Sequence, residues 1–166
     1  MSELQRPIGD FVWYDYMTQD LATARAFYSD LFGWTVSEES GFENGTYAQL
    51  SNSERSFGGM MKQGDDPAAR PDWLGYVWVE ALDATLAKAT EAGGQVVVPV
   101  TGVPETGRFA VVTDPCGAAI ALFERAPEIA GKGLPSAAVQ GLFCWAELWA
   151  HDVEDAKTFY QAVFGW

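Results

Sequence analysis

Phe11-Val12-Trp13-Tyr14-Asp15 opens a stretch that closes on Phe32-Gly33-Trp34, and the whole stretch occurs twice. It returns, without a gap and shifted by 132 positions, as Phe143-Cys144-Trp145-Ala146-Glu147 through Phe164-Gly165-Trp166. Phe11, Trp13, Asp20, Ala24, Phe27, Tyr28, Phe32, Gly33 and Trp34 recur as Phe143, Trp145, Asp152, Ala156, Phe159, Tyr160, Phe164, Gly165 and Trp166. Asp15 is answered by Glu147. Self-similarity at one fixed shift marks a duplicated structural unit, and here a second copy begins and is not finished.

The unit reads as a strand followed by a helix. Phe11 to Met17 is aromatic-rich and free of Gly and Pro, as a strand requires. Asp20 is an N-cap, with Leu21, Ala24, Phe27, Tyr28 and Leu31 at helical spacing behind it and Gly33 as the C′ residue. In the second copy, Asp152 with Asp155 approximates a capping box. Strands are expected over 34–39, 46–50 and 56–62, with a turn over 41–45 and Gly58-Gly59 weakening the last strand. The polar stretch 63–71 reads as a linker.

The order then repeats. A strand is expected over 74–80 and an Ala-rich helix over 82–92, closed by Gly93-Gly94. Strands over 95–100, 108–113 and 118–124 follow, the last two joined by the turn Asp114-Pro115-Cys116-Gly117. The expected organisation is α+β: one domain over 1–126 built of two βαβββ modules (about 8–62 and 73–125), a linker over 127–139, and a strand and helix over 140–166 that open an incomplete second domain. That strand and helix cannot bury their own apolar side, so they are expected to dock on this chain or to exchange with another copy in a homo-oligomer.

A formal net charge of −13 argues against nucleic-acid and anionic-membrane partners, which need a basic face. Met1 to Asp10 holds no apolar run, so no signal peptide is expected, and no stretch is long enough to span a bilayer. Cys116 and Cys144 form neither a CxxC pair nor a disulfide scaffold; reduced thiols in the cytoplasm are the expectation.

The pattern resembles the vicinal oxygen chelate superfamily of glyoxalases, bleomycin-resistance proteins and extradiol dioxygenases, and within it the tandem glyoxalase-like or hydroxylase-labelled members. Asp20-Leu21 ahead of Ala26-Phe27-Tyr28-Ser29-Asp30-Leu31-Phe32-Gly33-Trp34 carries the resemblance. So do Ala92-Gly93-Gly94-Gln95-Val96 and Gly107-Arg108-Phe109-Ala110-Val111-Val112-Thr113-Asp114-Pro115-Cys116-Gly117. It implies paired βαβββ modules curved around a cavity, which in metal-dependent members holds a divalent ion on His, Gln or Glu from four strands. The matching positions here are Trp13, Leu74, Ala121 and the stretch Gly59 to Met61, and none offers a ligand for such an ion. The one histidine, His151, lies in a turn. No metal and no cofactor are therefore expected.

The family register turns Trp13, Asp15 and Met17 inward, together with Tyr76, Trp78 and Phe123. The implied pocket is aromatic with one deep carboxylate, which suits a small apolar or aromatic molecule. Core filling by the same rings is the competing reading. Asp15 is either a structural acid bonded to a neighbouring amide or Tyr hydroxyl, or the acid/base of a metal-independent enzyme; Arg108 is its expected ion-pair partner. Gly102 to Gly107 reads as a hairpin loop or as a lid over the site.

Overall fold

The structure is a computed structural model describing residues 8–37, 40–42, 45–53, 55–64, 70–126 and 140–166. The elements in chain order are β1 (Phe11–Thr18), α1 (Leu21–Phe32), β2 (Thr35–Val36), β3 (Ser40–Phe42), β4 (Gly45–Ser51), β5 (Ser56–Lys62), β6 (Asp72–Trp78), α2 (Leu82–Glu91), β7 (Gln95–Val103), β8 (Gly107–Thr113), β9 (Ala119–Arg125) and α3 (Val153–Phe164). The fold is α+β, two βαβββ modules with an additional C-terminal helix. The chain divides into two compact units, one of Trp13–Leu74 with Ala138–Trp145 and one of Met1–Val12, Gly75–Ala137 and Ala146–Trp166.

In the unit of Trp13–Leu74 the strands run in the order β2-β4-β5-β1, with β5 parallel to β1 and antiparallel to β4. α1 forms because both ends are capped. Asp20 accepts from Thr23 N at 3.0 Å and from Thr23 Oγ1 at 2.7 Å. Gly33 at φ 69° adopts the left-handed turn that ends the helix, its N–H returning to Ser29 O. Ala24, Trp34, Leu50, Phe57 and Met60 are buried beneath α1, with Tyr16, Tyr28, Trp73, Leu142 and Phe143 packed around them. Phe143 stacks on Tyr14, centroids 3.9 Å apart.

In the other unit the order is β6-β9-β8-β7, with β6 parallel to β9 and the remaining pairs antiparallel. One face of this sheet carries Val77, Val79, Ala110, Val112, Ile120 and Leu122, buried against Leu82 and Ala89 of α2 and Phe159 and Val163 of α3. Ala81 caps α2 without a side-chain bond. The first-turn amide of Leu82 instead donates to Glu124 Oε2 on β9 at 2.6 Å, so a strand caps this helix. α3 repeats the capping of α1: Asp152 accepts from Glu154 N and Asp155 N, and Gly165 closes at φ 76°. The Asp114 carboxylate, 2 % exposed, accepts from the amides of Cys116 and Ala118 and from the Tyr160 hydroxyl, which locks the turn before β9 to α3.

Three expectations need correction. The turn placed over 41–45 is part of a hairpin, since Ser40–Phe42 pairs with Gly45–Tyr47. Of the two readings of the Gly102–Gly107 loop the hairpin holds and the lid does not: Gly102 pairs with Arg108 and Val103 with Gly107, leaving a three-residue turn with Glu105 at φ 60°. It is a hairpin tip, and no lid is built there. The strand expected to open the C-terminal copy is not formed. Residues 141–150 hold no helix or strand, and Trp145 and Trp149 are 76 % and 92 % exposed. A helix satisfies its own backbone, whereas a strand needs a pairing partner, and no strand pairs with this segment among the described residues. The linker expected over 127–139 lies outside the described residues.

Phe159 is 1 % exposed and fills the space between α2 and the sheet. Truncating a buried ring of this kind leaves a cavity as well as losing transfer energy. Phe159→Ala should lower unfolding free energy by about 3–5 kcal/mol in urea titrations, and a loss under about 1 kcal/mol would show that α3 is not docked as described.

Candidate functional site

Side chains alternate along a strand, so the face turned away from the helices is fixed by register. On β1, Tyr16 packs into the helix-side core, which places Trp13, Asp15 and Met17 on the opposite face. β4 and β5 bring Tyr47, Gln49, Gly59 and Met61 to that same face by the pairing Tyr47↔Met61 and Gln49↔Gly59, with Gly59 beside Asp15.

The centre of this face is a closed set of three hydrogen bonds. Trp13 Nε1 donates to Asp15 Oδ1 at 2.9 Å and to Tyr47 OH at 3.0 Å, and Tyr47 OH donates to Asp15 Oδ1 at 2.9 Å. Asp15 is 4 % exposed. A buried carboxylate without donors would cost several kcal/mol, and two donors on one oxygen stabilise the ionised form. The phenol reaches this position because residue 59 has no side chain. A Cβ there would lie 2.0 Å from the Tyr47 oxygen, and one on Gly58 would lie 2.2 Å from Tyr14 O. The Gly58-Gly59 pair is therefore a close-approach site in an intact strand. Burial first, and then the Asp15 charge, push the Tyr47 phenol well above the usual tyrosine range, so it remains a donor.

The corresponding face of the other unit is also lined by rings. Tyr76 is 8 % exposed and meets Phe109 at 5.6 Å. Phe109 lies across from Phe123, and Trp78 lies beside Phe123. The Arg125 guanidinium sits 4.2 Å over the Trp78 ring, a cation–π contact. Sequence reasoning missed Arg125, although its parity with Ala121 and Phe123 on β9 was available.

Arg108 is not on this face. Its guanidinium bonds Glu124 through Nε at 3.0 Å and Nη2 at 3.1 Å, and Nη2 meets Asp83 at 2.7 Å. It serves the start of α2, where Glu124 also holds the Leu82 amide. The ion pair expected with Asp15 is replaced by this one, and Arg108 leaves the set of ligand-facing residues. The Arg108 bonds, followed by the Leu82 amide, hold the Glu124 carboxyl below the usual range.

The residues present do not fit the divalent ion of the metal-dependent relatives. Trp13 and Leu74 bring no anionic or imidazole ligand, Gly59 none at all, and Ala121 is a methyl group. Among the described residues no three His, Cys, Asp or Glu side chains gather into a metal-holding group. His151 and Glu147 are exposed in the C-terminal segment.

Comparison with known proteins matches residues 10–122 to the family model of the Glyoxalase/Bleomycin resistance protein/Dioxygenase superfamily. The curated protein named "Putative glyoxylase CFP32" of Mycobacterium tuberculosis is 31 % identical over 156 residues, covering 92 % of this chain and 59 % of the relative. Anthracycline biosynthesis protein DnrV of Streptomyces peucetius is 30 % identical over 166 residues, with the same coverage of 92 % and 59 %. The chain thus spans 59 % of the length of these relatives. Among solved structures, a 4-hydroxymandelate synthase mutant from Streptomyces coelicolor matches 96 % of this chain and 53 % of its own at TM-score 0.63 and 16 % identity. Methylmalonyl-CoA epimerase from Mycobacterium tuberculosis matches 78 % of this chain and 95 % of its own at TM-score 0.56 and 20 % identity. At these identities the structural likeness is one of fold.

The hydrogen-bonded set makes two expectations measurable. A folded Tyr47 keeps its proton after an unfolded tyrosine, with a pKa near 10, has lost its own. The native state then binds more protons than the unfolded state, so stability falls as pH rises above about 10. Chemical unfolding at pH 8 and pH 10.5 should show this fall, and Tyr47→Phe should reduce it while costing about 1–3 kcal/mol at pH 8 through the donor lost to Asp15; an unchanged alkaline slope in the variant would contradict the assignment. Gly59→Ala, which displaces the phenol, should cost about 1–3 kcal/mol in the same assay.

Proposed function

This chain belongs to the glyoxalase/bleomycin resistance protein/dioxygenase superfamily, and we propose that it binds a small apolar or planar aromatic molecule on the ring-lined face of its sheet, against Trp13 and Met17 and beside Asp15, without a metal at the superfamily's usual strand positions. The observation that carries this reading is the Asp15 carboxylate, buried and held on one oxygen by Trp13 and Tyr47. Donors fixed in this way orient the carboxylate, which suits recognition of a ligand's hydroxyl or amine. Tyr76, Trp78 and Phe123 give the other unit a face of the same character. Rings of this kind favour flat partners through offset stacking. Two relatives bear the name anthracycline biosynthesis protein. An anthracycline is a planar fused-ring molecule, and the ligand proposed here is of that shape.

The second reading is a metal-independent enzyme, hydroxylase-like in type, with Asp15 as acid/base. The two donors on Oδ1 weigh against it, because they occupy the oxygen that would take the proton. Sequestration therefore stands ahead of turnover. The proposal places the protein in the cytoplasm; among the described residues no helix is long and apolar enough to cross a membrane.

A thermal-shift screen of planar aromatic compounds tests the reading, because a ligand that binds only the native state raises the melting temperature, by about 2.7 kcal/mol of stability at one hundred times Kd. We expect a fused-ring compound to raise Tm. Trp13→Ala should weaken its affinity at least tenfold, about 1.4 kcal/mol. Asp15→Asn should retain the shift for an apolar ligand; loss of a measured turnover in that variant, with binding intact, would favour the enzymatic reading. No shift with any aromatic compound would leave the rings as core filling.

A further inference from the structure

One ring contact in this molecule is made twice, with the copies of the repeat exchanged, and in the first instance a hydrogen bond accompanies it. In the unit of Trp13–Leu74, Trp34 closes the first copy; its Nε1 donates to Gly141 O at 2.6 Å, and its ring meets Phe143 at 6.1 Å and 41°. In the other unit, Trp166 closes the C-terminal copy; its Nε1 lies 3.3 Å from where a Cβ on Gly9 would stand, and its ring meets Phe11 at 5.8 Å and 42°. Gly9 and Gly141, Phe11 and Phe143, and Trp34 and Trp166 are equivalent under the 132-residue shift. Even the supporting stacks match: Tyr28 on Trp34 at 15°, Tyr160 on Trp166 at 9°. The opening of each copy docks on the aromatic end of the other copy's helix.

The reciprocity is incomplete at one place. α3 buries Phe159 and Val163 beside α2, the Phe159 ring filling the notch left by Ala89 and Gly94. Their equivalents on α1 are Phe27 and Leu31, which are 57 % and 56 % exposed. The helix of the module that follows the first copy covers Phe159, whereas among the described residues no second helix covers Phe27.

We propose that the Phe27/Leu31 face of α1 is the docking site of one helix, the second-module helix of a further βαβββ pair whose first module opens with the C-terminal copy. By equivalence that helix stands to the C-terminal copy as α2 stands to the first, and it presents a small-residue notch to Phe27 as Ala89 and Gly94 do to Phe159. The curated relatives have room for such a module, since this chain spans 59 % of their length. A second copy of this chain is a poorer occupant, because its α2 is already covered by α3, and two chains of formal charge −13 repel each other.

The test uses the 166-residue chain and an extended chain in which residues 35–126 are repeated after Trp166, in the frame of the repeat. In the shorter chain, the double variant Phe27→Asp/Leu31→Asp should leave Tm within about 2 °C and the molecule monomeric by light scattering, while reducing binding of a hydrophobic dye severalfold. In the extended chain the same double variant should lower Tm by about 5 °C or more. Three results would overturn the proposal: a dimer of the shorter chain that the variant dissociates, a large Tm loss in the shorter chain, or an extended chain that binds dye as strongly as the shorter one.

Discussion

A carboxylate removed from water must be answered by donors, and the placement of Asp15 organises the face on which the functional reading rests. Trp13 and Tyr47 both donate a hydrogen bond to it, and Tyr47 can reach it only because β4 runs beside β5 and β5 beside β1. Gly59 is the enabling residue: any side chain there would collide with the phenol. Local sequence, strand register and one missing Cβ are joined in a single hydrogen-bonded set.

The duplication gives an internal control on what local sequence can and cannot dictate. Asp20 and Asp152 cap helices of equal length, and Gly33 and Gly165 end them in the same left-handed turn. A helix carries its hydrogen bonds within itself, so the same residues give the same element twice. The strand does not repeat. Asp15 lies buried in β1, whereas Glu147 is exposed in a segment without regular structure. Among the described residues no strand pairs with the segment that holds Glu147. A strand and its buried acid are thus properties of the neighbours, while a capped helix belongs to its own residues.

This difference explains what was legible beforehand. The two modules and the helix ends follow from period and caps, whereas the facing of Trp13, Asp15, Tyr76 and Trp78 was what the family resemblance implied. Arg108 was misplaced because charge complementarity with Asp15 is a reading of composition, whereas its partners are set by β9 and the start of α2. Glu124 as the cap of α2 could not be seen, since it lies 42 residues from the amide it serves. Tyr47 was missed for the same reason, being 32 residues from Asp15 and legible only through the β4–β5 pairing. Gly58-Gly59 was read as weakening its strand, and the phenol and the carbonyl that approach it were not nameable.

The central claim is that this face recognises its partner with rings and one oriented acid, and offers a divalent ion no set of ligands. Titration calorimetry of the purified protein, stripped of metal, with Mn²⁺, Zn²⁺ and Ni²⁺ in turn tests it most directly. The account predicts no stoichiometric binding at concentrations up to about 100 μM, where a built site with a Kd near 1 μM would be worth about 8 kcal/mol. One ion per chain at micromolar affinity, lost in Asp15→Asn, would contradict it.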